Sequence, residues 1–288
     1  MARAGAVVAM IWLTSSLAGA VAAAGPMPAA GTHVRYAAAA LDAPADAVSS
    51  NWSGYAVTSA GTAYTSVTST WTQPKATCGT GDAGAAAAFW VGLGGYALNS
   101  QALEQAGTDS DCDSTNRPSY YAWYEIVPAP PVNVRLKIAP GDTITASVNI
   151  RNNNSAVLFQ IKNRSRGTVF TKLVTLTAAP DLSSAEWIAE APSSCTQTSC
   201  RPLPLANFGS VAFTKVAALG NGNGGTVANP AWTAEAISLV PRANRGFFPG
   251  PDSGSGSSGS TAGASPGGLA SDGSSFTVGW TASPASPG

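Results

Sequence analysis

The sequence predicts an all-β protein, built as an antiparallel sandwich or barrel of short strands. From Ser49 onward, short segments rich in Val, Thr, Tyr, Trp and Phe alternate with clusters of Gly, Pro, Asn and Asp. This spacing, with turn residues between the segments, is typical of strands in a sandwich or barrel, and no helical period is present. The 288 residues are 44% hydrophobic, which suits one large domain with appendages.

The N-terminal sequence has the pattern of an export signal. Arg3 precedes an apolar run over residues 4–24, and Ala22-Ala23-Ala24 offers a small-residue cleavage site. We therefore interpret residues 1–24 as a signal peptide and residues 25–48, rich in Ala and Pro, as a propeptide or linker. An uncleaved membrane anchor is the alternative, since the run approaches spanning length. After signal removal, a secreted, extracellular protein without a membrane span is expected.

The domain itself is predicted over residues 49–281. Turn chemistry separates its strands at Ala139-Pro140-Gly141-Asp142 and at Asn152-Asn153-Asn154-Ser155, and Arg164-Ser165-Arg166-Gly167 closes a hairpin. The predicted strands are Thr65–Thr72, Ala87–Leu93, Ser119–Val127, Val132–Ile138, Thr143–Ile150, Ala156–Asn163, Thr168–Thr175, Ala185–Glu190, Val211–Val216, Trp232–Leu239 and Phe276–Trp280.

The C-terminal part combines a flexible segment with one more strand. Residues 245–274 are dominated by Gly and Ser, which predicts a loop. The segment Phe276–Trp280 still has strand composition, so the loop is internal to the domain. Residues 282–288 are predicted to be a disordered tail.

Charge and histidine content exclude several functions. Fifteen basic and fifteen acidic residues balance, so nothing predicts a nucleic-acid partner. The only histidine, His33, lies before the domain. A domain without histidine cannot run a Ser-His-Asp or Cys-His mechanism or build a His-ligated zinc site, so we predict no metal and no cofactor. Any hydrolytic chemistry falls to carboxylates and amides.

Four cysteines fit an exported protein and permit three connectivities. Cys195 and Cys200 bracket a four-residue loop, while Cys78 and Cys112 flank the strands that contain Trp90 and Gln105. This arrangement favours Cys195–Cys200 and Cys78–Cys112 as the bridges. A structural zinc is the weaker reading, because no C-x-x-C pair is present.

The segment Ser184-Ala185-Glu186-Trp187-Ile188-Ala189-Glu190 is short, apolar and β-prone, yet it carries two acids. In a strand, Glu186, Ile188 and Glu190 share one face. A carboxylate beside Ile is costly to bury unless the charge is used, so either a functional acid or a solvated edge strand is indicated.

Five segments in order resemble the glutamic peptidases, the eqolisin family G1, and indicate a secreted member of the bacterial type. They are Asn51-Trp52-Ser53-Gly54, Phe89-Trp90-Val91-Gly92-Leu93-Gly94-Gly95, Leu103-Glu104-Gln105-Ala106-Gly107-Thr108-Asp109, Ala122-Trp123-Tyr124-Glu125-Ile126-Val127-Pro128 and Ser184 to Glu190. The resemblance implies a two-sheet antiparallel β-sandwich of the concanavalin-A-like, jelly-roll type, and an acid endopeptidase with protein or peptide substrates, expected as a monomer.

The resemblance also implies the site residues. Glu190 matches the general base and acid, and Gln105 matches the oxyanion stabiliser. An amide N–H can serve in that role at acid pH because it never titrates. Alternation places Glu104 on the opposite face from Gln105. The positions that match cleft-lining residues are Trp52, Trp90, Asp109, Trp123 and Glu125, of which Trp123 could equally belong to the sandwich core.

Three departures from the family pattern affect the cleft: Gly94 replaces an Asp, Ile126-Val127 replaces two aromatics, and Ala191-Pro192 replaces Asp-Phe. Two other functions stay open. A glycoside hydrolase would pair Glu186 with Glu190, but four strand residues span about 13 Å, more than the roughly 5–9.5 Å such pairs need. A non-catalytic sugar-binding module would use the aromatic side chains alone.

Overall fold

The computed structural model describes residues 46–98, 100–195, 200–241 and 262–282. Within these ranges the chain forms eighteen β-strands and no helix. These residues therefore contain no helix that could cross a membrane. The strands are β1 (Asp46–Ser49), β2 (Trp52–Thr58), β3 (Tyr64–Thr72), β4 (Ala88–Gly94), β5 (Leu103–Cys112), β6 (Pro118–Val127), β7 (Val132–Val134), β8 (Thr143–Arg151), β9 (Ala156–Asn163), β10 (Thr168–Thr175), β11 (Ser184–Glu190), β12 (Ser193–Cys195), β13 (Cys200–Pro202), β14 (Ser210–Gly220), β15 (Asn223–Gly225), β16 (Thr233–Leu239), β17 (Gly263–Pro266) and β18 (Ser275–Thr281).

Sixteen of these strands form one continuous sheet that folds over into two packed layers. The first layer has the order β10-β9-β8-β3-β14-β18, and the second has the order β16-β2-β11-β4-β5-β6-β7. Strand β17 pairs with both β18 and β16 and joins the layers along one side. Strands β4, β5 and β11 pack across the interior on β3 and β8. The antiparallel sandwich predicted from sequence is confirmed, with one parallel pair, β1 with β16.

The main core fills the space between the layers. Its large side chains include Trp71, Phe159 and Phe213 from the first layer and Phe89 and Trp187 from the second. Strand β8 alternates buried and half-exposed residues, as expected for a strand with one face on this core. Strands β4 and β11 are buried at every position, so both faces of the second layer are covered at its centre.

This two-sided burial positions the carboxylates of β11. Ala185, Trp187 and Ala189 point into the main core. Glu186, Ile188 and Glu190 alternate with them and point to the opposite side of the second layer, which we call the site face. A smaller apolar cluster lies there, composed mainly of Trp52, Ala56, Ala88, Trp90, Leu103, Tyr121, Trp123, Ile188 and Ile237.

Two strands lie outside the predicted set. Strand β1 begins at Asp46, three residues before the predicted domain start, and pairs with β16. Strand β17 lies inside the stretch predicted to be a Gly/Ser loop, since its backbone pairs with β18 despite its composition. The signal peptide, most of the proposed propeptide, residues 242–261 and the tail from 283 lie outside the described residues.

Both disulfides form as predicted. Cys78–Cys112 links the segment before β4 to the end of β5, with 5.6 Å between the Cα atoms. Cys195–Cys200 joins β12 to β13. The first bridge closes the loop that contains both Trp90 and Gln105, which limits the conformational freedom of the two strands beneath the site in the unfolded chain.

Candidate active site

The pairing of β11, β4, β5 and β6 arranges the site face in three rows that run across the strands. Partners in adjacent strands stand side by side, and each row is two residues from the next, so all three project to the same side. The upper row is Glu190, Ala88, Asp109 and Tyr121; the middle row is Ile188, Trp90, Gly107 and Trp123; the lower row is Glu186, Gly92, Gln105 and Glu125.

In the lower row, the Gln105 amide is oriented by its neighbour. Gln105 Nε2 donates to Glu125 Oε2 at 2.9 Å, and both side chains are fully buried. A carboxylate can only accept here, so this bond identifies which end of the amide is the nitrogen. The other polar side chain of the row, Glu186, is also fully buried. It stands on the far side of Gly92 from Gln105.

Gly92 makes room for its neighbours in the lower row. A methyl group at this position would lie 2.9 Å from Leu103 Cδ1, 2.9 Å from Trp90 Cζ3 and 3.3 Å from Gln105 Cβ. Any side chain would therefore displace its neighbours. The absence of one lets Leu103, Trp90 and Gln105 pack over the backbone of β4.

In the upper row, Glu190 is tied into the wall of the site by two donors. Asn51 Nδ2 donates to its Oε1 at 3.0 Å, and Trp90 Nε1 donates to its Oε2 at 2.7 Å. Burial raises the pKa of Glu190 well above its ordinary value. The Trp90 hydrogen bond opposes this shift, and the negative charges of Glu125 and Asp109 add to it.

A hydrogen-bonded chain of four side chains runs through the upper row. Tyr121 Oη contacts Asp109 Oδ2 at 2.8 Å and Asp111 Oδ2 at 2.7 Å, and Trp123 Nε1 donates to Asp109 Oδ1. Burial raises the pKa of Asp109, and burial raises that of Asp111 to about 7. One phenol proton cannot serve two carboxylates, so at acid pH one of the two aspartates carries a proton of its own and donates to Tyr121.

The family profile of the peptidase A4 family matches residues 50–239, which include every element of this site. The chain belongs to the peptidase A4 family. No curated protein matches the sequence closely enough to count as a relative.

Solved structures of similar fold support the architecture of this A4 peptidase. Scytalido-glutamic peptidase, crystallised with a peptide-based transition-state analogue, is 22% identical with a TM-score of 0.62, and the match covers 81% of this chain and 98% of that one. SCP-B, an eqolisin in complex with the tripeptide Ala-Ile-His, is 20% identical with a TM-score of 0.60 over the same shares. Aspergilloglutamic peptidase from Aspergillus niger is 24% identical with a TM-score of 0.51, covering 68% and 99%.

Glu190 and Gln105, the predicted catalytic pair, both project from the site face of this A4 peptidase, on β11 and β5 with β4 between them. Trp90 of β4 connects the two positions, because its indole donates to Glu190 while its ring lies over Gly92, next to Gln105. Besides burial, the charge of Glu125, which accepts from Gln105, raises the pKa of Glu190. Both acids of β11 face the site, as alternation predicted, and Glu186 shares the row of Gln105.

The other predicted site residues of this A4 peptidase all lie on the site face. Trp52 and Trp90 contact each other edge to face, with 4.9 Å between ring centroids. Trp123 belongs to this face and not to the main core, because its indole donates to Asp109. Glu104 points to the opposite side of β5, as expected, where its strand neighbours Leu93 and Ile126 contact the main core.

Sequence reasoning missed three side chains that hold the site residues: Asn51, Tyr121 and Asp111. Asn51 lies in a segment already recognised, and Tyr121 shares a strand face with Trp123, so period-two alternation could have suggested it. Asp111 extends the alternation of Gln105 and Asp109 along β5.

Proposed function

We propose that this chain is a secreted acid endopeptidase in which Glu190 and Gln105 are the catalytic pair. The observation that carries the proposal is the site face, where a buried carboxylate held by two donors and a buried amide oriented by Glu125 project from the strands on either side of β4. The family match supports peptide-bond hydrolysis, and the crystallised neighbours bound to a peptide-based transition-state analogue and to a tripeptide support a peptide substrate.

In this mechanism Glu190 takes a proton from water as the water attacks the scissile carbonyl. The same carboxyl then returns the proton to the leaving amine, which lets one residue act first as base and then as acid. The amide of Gln105 donates a hydrogen bond to the developing oxyanion, while Glu125 holds that amide in place through its other N–H. All these side chains are buried, so substrate entry requires the site face to be uncovered.

The Glu190 carboxylate is oriented for this role. Asn51 and Trp90 donate to its two oxygens, and through them it joins the start of β2 to the indole that packs above Gly92. Glu186, in the row of Gln105, is assigned no proton transfer.

The glycoside hydrolase alternative is not favoured. It required a bulge in β11 to bring Glu186 near Glu190. The register of β11 with β2 and with β4 is continuous from end to end, so the two carboxylates stay about 13 Å apart along the strand.

The test compares matched glutamate variants in casein cleavage between pH 2 and 7. Glu190→Gln should reduce turnover to background, since it removes the base, and should lower the melting temperature, because either Asn51 or Trp90 then faces an N–H₂ group. Gln105→Ala should lower kcat by about 10²–10³, the usual cost of one oxyanion donor. Glu186→Gln is the matched control and should keep a rate near that of the wild type, since Glu186 is not a catalytic partner.

The proposal fails if casein cleavage is unaffected by both Glu190→Gln and Gln105→Ala in folded protein. Full loss of activity in a folded Glu186→Gln, together with an active Glu190→Gln, would move the catalytic role to Glu186.

A further inference from the structure

A surface cavity adjoins the lower end of the site face. Its volume is about 390 Å³, and the connection between β10 and β11 and the segment before β5 form its walls. The lining includes Ala97, Ser100, Ala102, Pro180, Asp181 and Ser183. Of the lining residues, all within the described part of the chain, Asp181 is the only one with a charged side chain.

Three hydrogen bonds fix the orientation of the Asp181 carboxylate. Ser100 Oγ donates to its Oδ2, the backbone N–H of Gly95 donates to the same oxygen at 3.2 Å, and the N–H of Ser183 donates to Oδ1 at 2.9 Å. Partial burial pushes the pKa of Asp181 upward, but the hydrogen bonds from Ser100, Ser183 and Gly95 outweigh it and hold the pKa below its ordinary value. The group therefore stays ionised in moderately acidic solution, where an acid peptidase works.

The position of Asp181 explains one departure from the family pattern. A Cβ at Gly94 would lie 2.7 Å from Asp181 Cβ and would clash with the Asp181 carbonyl oxygen, and Gly94 has a φ of +81°. The resemblance places an aspartate at position 94. Here the carboxylate arrives from the β10–β11 connection and occupies the space that the glycine leaves.

The cavity is within reach of a peptide whose scissile bond lies at Gln105. The cross-strand pair Gly94–Leu103 lies two residues along β4 and β5 from the pair Gly92–Gln105, which is a distance of about 7 Å. Ala102, which precedes Leu103, already lines the cavity. An extended peptide advances by about 3.3 Å per residue, so a side chain one to three positions from the scissile bond can enter.

We propose that this cavity is a specificity subsite that accepts the Lys or Arg side chain of a peptide substrate, with Asp181 as its counter-ion. The proposal rests on the peptidase function proposed above. Ala97, Ala102 and Pro180 supply apolar walls for the methylene stem of such a side chain, and Asp181 meets the charged head at the solvent-facing end. Because the carboxylate is half-buried and prearranged by three donors, the pairing is stronger than an exposed salt bridge.

The experiment maps cleavage sites in a mixed peptide library by mass spectrometry, with protein secreted from the full-length chain. Lys and Arg should be enriched at one fixed position within three residues of the cleaved bond. In a single peptide with Arg at that position, replacing Arg by the neutral isostere citrulline should lower kcat/KM about three- to tenfold. Asp181→Asn should abolish this difference, mainly through KM.

Asp272→Asn is the matched control, because Asp272 is an exposed carboxylate with a lowered pKa in the β17–β18 connection, bonded to its own local serine. It should keep the wild-type preference. The comparison of the Arg and citrulline peptides uses the wild-type protein, so it tests the basic preference even if Asp181→Asn folds poorly. Cleavage without any basic preference would overturn the subsite alone, whereas no cleavage of any peptide would overturn the peptidase function.

Discussion

At the scale of single residues, the two glutamates of β11 differ in their neighbours and not in their burial. Both are completely inaccessible to solvent. Glu190 accepts from an indole and an amide, contacts that hold a carboxylate still. Glu186 instead shares its row with a glycine and with Gln105, and its charge, after burial, raises the pKa of Tyr64. The proposed base is therefore the glutamate whose carboxylate is oriented by donors on the site face.

Gly92 provides a direct check of that row. Gly92→Ala should reduce kcat/KM by about 10²-fold, because the added methyl group pushes Gln105 and Trp90 away from their present positions. The measurement is steady-state cleavage of a chromogenic peptide, with thermal unfolding recorded alongside. An unchanged kcat/KM in this variant would show that the geometry over β4 does not matter for turnover.

At the scale of elements, β11 depends on β2 as much as on β4. Gly54 in β2 pairs with Ile188 and has a φ of +149°. A Cβ there would lie 3.1 Å from the Trp187 carbonyl carbon and 3.2 Å from Ile188 Cα, so only glycine lets the two backbones approach this closely. Strand β2 thereby holds β11 from the side opposite β4.

Gly54→Ala should lower the free energy of unfolding by about 2–4 kcal/mol, since both a backbone clash and a strained φ must be relieved. Chemical denaturation followed by tryptophan fluorescence measures this. Gly279→Ala in β18 is the control, because a Cβ there meets nothing within 4 Å. Equal stability of the two variants would contradict the close approach of β2 and β11.

The strands were largely predictable, but their arrangement was not. Strands β9 and β10 match the predicted bounds, because alternating side chains and the turn at Asn152–Ser155 are local signals. The face of Gln105 and the opposite face of Glu104 were also predictable from alternation. The position of Glu190 relative to Trp90 was not, because it depends on the pairing of β11 with β4, some ninety residues earlier in the chain. Asp181 was missed for the same reason.

At the scale of the whole molecule, buried acids adapt the fold to low pH. Burial, followed by the charge of Asp181, raises the pKa of Glu104 to about 8, and burial raises that of Asp111 to about 7. A carboxyl whose pKa is higher in the folded state binds its proton more tightly there. The stability it contributes is complete below its unfolded pKa, near 4, and is lost as the pH rises through its folded pKa.

We therefore expect the free energy of unfolding to fall by an amount on the order of a few kcal/mol between about pH 4 and 8. The melting temperature should fall over the same range. Glu104→Gln should flatten this decline while leaving stability at pH 4 nearly unchanged, because the amide resembles the protonated acid. Asp113→Asn is the control: hydrogen bonds from Thr115 and Arg117 lower the pKa of Asp113 to about 2, so it is ionised throughout this range. If the melting temperatures of wild type and Glu104→Gln fall in parallel as the pH rises, Glu104 is not the source of the decline.

The pairing of β1 has a consequence for maturation. The side chain of Ser49, the last residue of β1, donates to Asn51 Oδ1 and accepts from the N–H of Trp52, and Asn51 in turn holds Glu190. Residues 46–52 are thus part of the scaffold beneath the site. A processing enzyme that cut after Ser49 would cut the link from Ser49 to Glu190. The activating cleavage should fall on the N-terminal side of Asp46, and N-terminal sequencing of the active form would locate it.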